Sequence, residues 1–202
     1  MPDIYLNVPY VSQLNIGSKA GPNGGRNDPT GCWYAAISMI GYYYEAGPRL
    51  GVPEQYVKPS GAPQKADKWG NTAAFGMGKN YDKLLENENL VTVPLPKDKI
   101  WTCMKLVQIL NQHGPCYVRR GFINQGKLVG GHAVVLVGAK TSSNEVILHD
   151  PWTGPDKHMS IADFNKVFKW EGERATKYSI MHKARRTGAA KTVEQLVAEI
   201  EG

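Results

Sequence analysis

The run Gly130-Gly131-His132-Ala133-Val134-Val135-Leu136-Val137-Gly138-Ala139 carries apolar residues at consecutive positions, on what would be both faces of a strand. Such a strand must lie centrally in a sheet and be covered on both sides. Lys140 to Asn144 reads as a polar turn, and Glu145-Val146-Ile147-Leu148-His149-Asp150 as the next strand, stopped by Pro151. If the two strands form a hairpin centred near Thr141, His132 and Asp150 face each other across it on one face of the sheet. An imidazole oriented by a carboxylate can serve as a general base, so the rest of the chain was read for a group it could activate.

That group is found at Gly31-Cys32-Trp33-Tyr34-Ala35-Ala36-Ile37-Ser38-Met39-Ile40, after the turn-forming run Asn27-Asp28-Pro29-Thr30. Apolar residues at Ala36, Ile40 and Tyr43, with Met39 beside them, recur at helical spacing, and Gly47-Pro48 stops the helix. Cys32 therefore begins a largely buried helix. Unpaired backbone N–H groups and the positive end of the macrodipole meet a thiol placed there, and both favour a thiolate.

The remaining chain supplies the other layers. Ile4 to Val11 is β-prone but confined by Pro9 to an edge or irregular strand, and Gly17 to Thr30 is an aperiodic loop. Residues from Gly47 to Asn80 read as a long excursion rich in Pro and Gly. Helical spacing returns around Tyr81 to Leu85, followed by a short strand from Leu90 to Val93. A second amphipathic helix is expected over Asp98 to Gln112, with Ile100, Met104, Val107 and Leu110 on one face and His113-Gly114-Pro115 ending it. Cys116-Tyr117-Val118 reads as a strand, and Ser160-Ile161-Ala162-Asp163-Phe164 as a capped helix start. Val193, Leu196, Val197 and Ile200 form one apolar stripe on a short C-terminal helix that either packs back or docks a partner.

Composition narrows the classes. With 202 residues, 42% hydrophobic and 21% charged, the chain suits one globular catalytic domain. Residues 1 to 182 are assigned to it, and 183 to 202 to a basic linker and the short helix. The net charge of +6 owes part of its excess to Lys183-Ala184-Arg185-Arg186, read as a solvated tail rather than a nucleic-acid or membrane contact. No apolar run is long enough to span a bilayer, and Met1 to Leu6 has no signal-peptide pattern. Cys32, Cys103 and Cys116 are an odd, widely spaced set that fits reduced thiols and a reducing cytoplasm. Without a Cys-x-x-Cys pair or a His pair at helical spacing, neither a metal nor a cofactor is expected.

Each candidate also has an ordinary role open to it. A lone helical cysteine is more often a small hydrophobe, His132 could cap a strand, and Asp150 before Pro151 could end one. The ordered set is stronger than its members. Cys103 and Cys116 read as packing residues and His113 as a helix C-terminal residue. His149 faces away from Asp150, and His158 and His182 have no suitable partner nearby in sequence.

Taken together, Val8-Pro9-Tyr10-Val11-Ser12-Gln13, Gly31-Cys32-Trp33-Tyr34-Ala35-Ala36, Gly131 to Gly138 and His149-Asp150-Pro151-Trp152-Thr153-Gly154 resemble papain-like cysteine peptidases of bacteria. The nearest group holds the AvrRpt2-type effector proteases and the double-glycine leader peptidase domains of bacteriocin exporters. The likeness runs from about Val8 to Phe168. It implies an α+β papain-like fold, an N-terminal helical part with the nucleophile helix packed on a C-terminal antiparallel β-sheet. It also implies Cys32 as nucleophile, His132 as general base and acid, and Asp150 as the orienting group. Gln13 resembles the family's oxyanion-hole glutamine. The family places that glutamine a short way before the cysteine, where this sequence has Arg26. Gln13 therefore serves only if Ile16 to Thr30 is an inserted loop, and Asn23 and Asn27 are the substitutes.

The resemblance implies a thiol protease acting on a specific protein, without cofactor. A basic protease lacking a visible pro-segment would endanger its producer unless narrowly specific or restrained. The expectation is a bacterial effector or toxin, cytoplasmic in the producer and delivered into a target cell without a cleaved signal peptide, with a cognate inhibitor or immunity protein. Papain-like folds also host glutamine deamidases, transglutaminases and amidases using the same residues. A catalytically silent binding domain is the remaining alternative.

Overall fold

The computed structural model describes residues 3–13, 31–44, 79–124, 127–168 and 179–184. Along these, β1 (Ile4–Tyr5) precedes α1 (Cys32–Tyr44), α2 (Lys79–Glu88), β2 (Leu90–Thr92) and α3 (Cys103–His113). Then come β3 (Cys116–Asn124), β4 (Lys127–Lys140), β5 (Glu145–Asp150), β6 (Gly154–Ser160), α4 (Ile161–Phe168) and β7 (Ile180–Lys183). The expectations for the excursion after Gly47 and for the C-terminal amphipathic helix lie outside the described residues.

The strands form one antiparallel sheet in the order β2-β7-β3-β4-β5-β6, with β1 also paired to β4. As its unbroken apolar run requires, β4 is central, and Ala133 to Ala139 lie in the interior. Its residues divide between two cores. Ala133, Val135 and Val137 join Tyr117, Ile147 and Met181 in packing with Trp33, Ile37 and Ile40 of α1 and Leu84 of α2. Val134, Leu136 and Ala139 join Cys116, Val118, Val146, Leu148 and Ile180 in packing with Leu106 and Leu110 of α3 and Phe164 of α4. Each fully buried Leu, Ile or Phe contributes about 1.5–3 kcal/mol, so these two layers dominate the stability.

Val137 and Ala139 are two residues apart yet lie in opposite cores, because a β-bulge between Leu136 and Gly138 inserts one extra residue and reverses the alternation beyond it. At the bulge Gly138 is approached closely by β1. A Cβ there would stand 2.8 Å from the Ile4 carbonyl oxygen and 3.0 Å from Ile147 Cδ1.

The helices follow their local chemistry. Positions 33 to 41 of α1 are buried all round, as expected of a helix apolar on every side. Thr102 caps α3, its hydroxyl accepting from the Lys105 N–H at 3.2 Å. The α3 expectation is corrected here. The helix begins at Cys103, after a turn in which Asp98 accepts from the Ile100 N–H. Cys103, Leu106, Val107 and Leu110 form the inward stripe, whereas Ile100 and Met104 are about half exposed. Met104 falls about 100° round the helix from Cys103, outside that stripe. Ser160 caps α4 as expected, accepting from the Asp163 N–H at 3.1 Å.

Two further expectations are revised. Regular strand pairing at the N-terminus ends at Tyr5, and the segment to Gln13 continues as an irregular strap. Lys183, placed in the tail by the sequence, is the last residue of β7, opposite Leu90. Its ammonium donates to the Glu88 backbone oxygen at 2.9 Å and lies 3.4 Å from the Glu88 carboxylate. Both residues are buried, and leaving either charge unmatched there would cost several kcal/mol.

The close approach at the bulge generates a test. Gly138→Ala forces β1 away from β4, and the expected loss is about 1–3 kcal/mol, a fall of roughly 2–12 °C in Tm by thermal denaturation. An unchanged Tm would mean that β1 does not dock on Gly138 as described.

Candidate active site

Helix α1 starts at Cys32, whose thiol is free and half-buried. The Ala35 N–H is already satisfied by the Gly31 carbonyl at 3.0 Å, so the first turn is closed from Gly31 onward. Burial of Trp33 and Tyr34 beneath the sheet fixes the rotation of the helix and therefore the direction of its first side chain.

His132 and Asp150 do come together, but not as directly opposed residues. The turn occupies Thr141 to Asn144, and the ladder starts with Lys140 opposite Glu145. Continued without interruption, that register would put Asp150 opposite Val135 and on the other face from His132. The bulge shifts it by one, so that Val135 meets His149. Val134 then faces Asp150, and His132 lies diagonally, two residues along on the same face.

The contact is short and buried. His132 Nε2 lies 2.7 Å from Asp150 Oδ1, both side chains being less than a tenth exposed. Cys32 lies close enough to the imidazole to act on its ionisation. Burial alone would lower the imidazole's pKa. The hydrogen bond to Asp150 and the influence of Cys32, with their charges, outweigh it and raise the value from 6.5 to about 9. Burial would likewise raise that of Asp150. The hydrogen bond and charge of His132, the Trp152 N–H and the Arg120 charge together hold its carboxyl well below the usual 3.8.

Arg120 is the residue that sequence reasoning missed. Its Nη2 donates to Asp150 Oδ2 at 2.7 Å, while Oδ1 accepts from the Trp152 N–H at 2.9 Å as well as facing His132. The signal was the register of the preceding hairpin, in which Arg120 stands opposite His132. That register is not derivable from the end of the hairpin, because an irregularity between Phe122 and Ile123 shifts the pairing by one before Arg120 is reached.

The amino-terminal strap brings Gln13 to the same place. The Gln13 N–H donates to the Pro151 carbonyl at 3.1 Å, and Tyr10 shares its hydroxyl hydrogen between the carbonyls of Asp150 and Pro151 at 3.1 and 3.3 Å. The Gln13 side chain is buried. Arg26, Asn23 and Asn27, and the expectation of an inserted loop over Ile16 to Thr30, lie outside the described residues.

Other candidates have structural roles. Burial pushes the Cys116 thiol up to about 12 and raises that of Cys103, opposing thiolate formation at both. His149 points away from Asp150, with Nε2 3.0 Å from the Val8 carbonyl oxygen. His113 ends α3 and stacks on His182, a partner 69 positions away in the chain, with ring centroids 4.0 Å apart. No cluster of metal-ligating side chains occurs among the described residues, and none of their helices is long and apolar enough to cross a membrane.

A family model described as papain-like cysteine protease AvrRpt2 matches residues 4–169, well over half of the chain. The chain belongs to that family of papain-like cysteine peptidases, and its helices on an antiparallel sheet are the α+β arrangement expected of it.

The buried His132–Asp150 pair makes stability depend on pH with a defined sign. The raised His132 value contributes stability in full below 6.5 and loses it as pH climbs through about 9. The depressed Asp150 value contributes above 3.8 and is lost on acidification. Asp150→Asn is therefore expected to cost about 3 kcal/mol near pH 6, with the deficit shrinking as pH rises from about 6.5 to about 9 and small beyond that. Denaturant titrations across this range check it, and a deficit independent of pH would contradict the pairing.

Proposed function

We propose that this cysteine protease cleaves a peptide bond in a particular protein through a Cys32-His132-Asp150 triad, assisted by Gln13. The reading is carried by one observation, the 2.7 Å contact of His132 Nε2 with Asp150 Oδ1, and is supported by the influence of Cys32 on the same imidazole. In this mechanism the Cys32 thiolate attacks the scissile carbonyl carbon. The oxyanion is held by the Cys32 backbone N–H and the Gln13 side-chain amide, and His132 passes its proton to the leaving amine. Water deprotonated by His132 then attacks the thioester, releasing the acid and restoring the thiol. Asp150 keeps the imidazole in one tautomer throughout and does not accept its proton.

The biological reading is a bacterial effector or toxin that acts inside another cell, held narrow by substrate recognition or by a cognate inhibitor. It rests on the AvrRpt2 description of the family, together with the net charge of +6. In this reading a single peptidase domain is followed by the basic C-terminal segment.

Proteomic comparison of target cells receiving wild type or Cys32→Ala tests both levels. New protein termini dependent on Cys32 are the expected result. Glutamine-to-glutamate conversion without new termini would assign the triad to deamidation instead, and toxicity undiminished in Cys32→Ala would remove the effector mechanism.

A further inference from the structure

Asp150 divides its two carboxylate oxygens between unlike partners. Oδ1 takes the His132 ring and the N–H groups of Trp152 and Thr153, at 2.7, 2.9 and 3.4 Å. Oδ2 takes Arg120 at 2.7 Å. The ion pair is largely withdrawn from water, the Arg120 side chain being 19% exposed and that of Asp150 4%. Water therefore screens this charge only weakly. Arg120 and His132 are also direct cross-strand partners, so the guanidinium and imidazole approach the carboxylate from adjacent strands of one sheet.

This arrangement bears on the proton that the reaction must move. A buried carboxylate with no second counter-charge would hold the imidazolium tightly and resist proton transfer to a leaving amine. A guanidinium on the far oxygen draws part of that negative charge away from His132 and, being unable to lose a proton itself, takes no part in the transfer. We propose that Arg120 is a positioning residue for the reaction, fixing the Asp150 carboxylate and limiting how strongly it retains the proton on His132. The proposal rests on the Cys32-His132-Asp150 reading. Among the described residues, the other ionisable groups facing this set are Cys32 from α1 and the Tyr10 hydroxyl from the strap. Arg119 is not among them, since it lies with its guanidinium 5.3 Å from the Tyr81 ring centroid.

The test needs no substrate. Iodoacetamide alkylation of Cys32 in the full chain is followed by peptide mass spectrometry from about pH 5 to pH 10.5, which separates Cys32 from Cys103 and Cys116. In wild type the alkylation rate has an upper inflection where His132 gives up its proton, near pH 9. Removing one positive charge in Arg120→Gln is expected to raise that inflection by about 0.5–1 pH unit. Arg120→Lys, which keeps the charge, is expected to leave it within about 0.2 unit. Circular dichroism melts verify that each variant is folded. A folded Arg120→Gln with the wild-type inflection overturns the proposal. So does a lysine variant displaced by half a unit or more, even if the glutamine variant does not fold. An upper inflection absent from wild type, or persisting in His132→Ala, would remove the triad reading itself and the proposal with it. An inflection that disappears in His132→Ala yet stands still in folded Arg120→Gln removes the proposal alone.

Discussion

The carboxylate of Asp150 is where three separate parts of the chain meet. His132 from β4 and Arg120 from β3 bond its side chain, and the strap bearing Gln13 is tied to the Asp150 and Pro151 carbonyls. A buried anion with this many partners cannot be moved without leaving several of them unsatisfied, which fixes the imidazole more firmly than packing alone would. The proposed nucleophile comes from the opposite end of the sequence, on a helix whose buried circumference leaves its orientation little freedom. In the proposed mechanism, chemistry at Cys32 depends on an electrostatic arrangement assembled by the sheet.

The sheet manages this through an irregularity. Two-sided burial holds β4 at the centre, and the strict alternation of a strand would then assign every residue to one core or the other. With the four-residue turn from Thr141 to Asn144, unbroken alternation would separate His132 from Asp150 onto opposite faces. One extra residue at Val137 restores them to the same face and places Gly138, which has no side chain, where the Ile4 carbonyl must pass. Bulges of this kind re-aim side chains next to active sites. Here the consequence can be traced from β1 to His132, the proposed general base.

Much of this was legible in the sequence because the signals were local and strong. The central strand, the helix starting at Cys32 and the Ser160 cap follow from periodicity and punctuation, whereas the expected hairpin register paired His132 with Asp150 directly and they meet only through the bulge. The register itself was not legible, since a bulge leaves no compositional mark and shifts the facing pairs without altering either strand. Arg120 escaped notice for the related reason that its partner lies on a non-adjacent strand. The α3 face was misassigned because Ile100 and Met104 are apolar enough to pass for core, while Cys103, which completes the real stripe, was counted as a packing residue without being used to orient the helix. Lys183 shows the same limit, as its place in β7 depends on Glu88, which is 95 positions away.

The central claim is that His132, held by Asp150, makes Cys32 the reactive thiol of this chain. Labelling with an epoxysuccinyl probe at about pH 6, where unassisted thiols react slowly, addresses it directly through peptide mapping of wild type and His132→Ala. The account predicts a stoichiometric adduct on Cys32, none on the buried Cys103 and Cys116, and loss of the adduct in His132→Ala. Labelling of Cys32 at an equal rate in both proteins would contradict it.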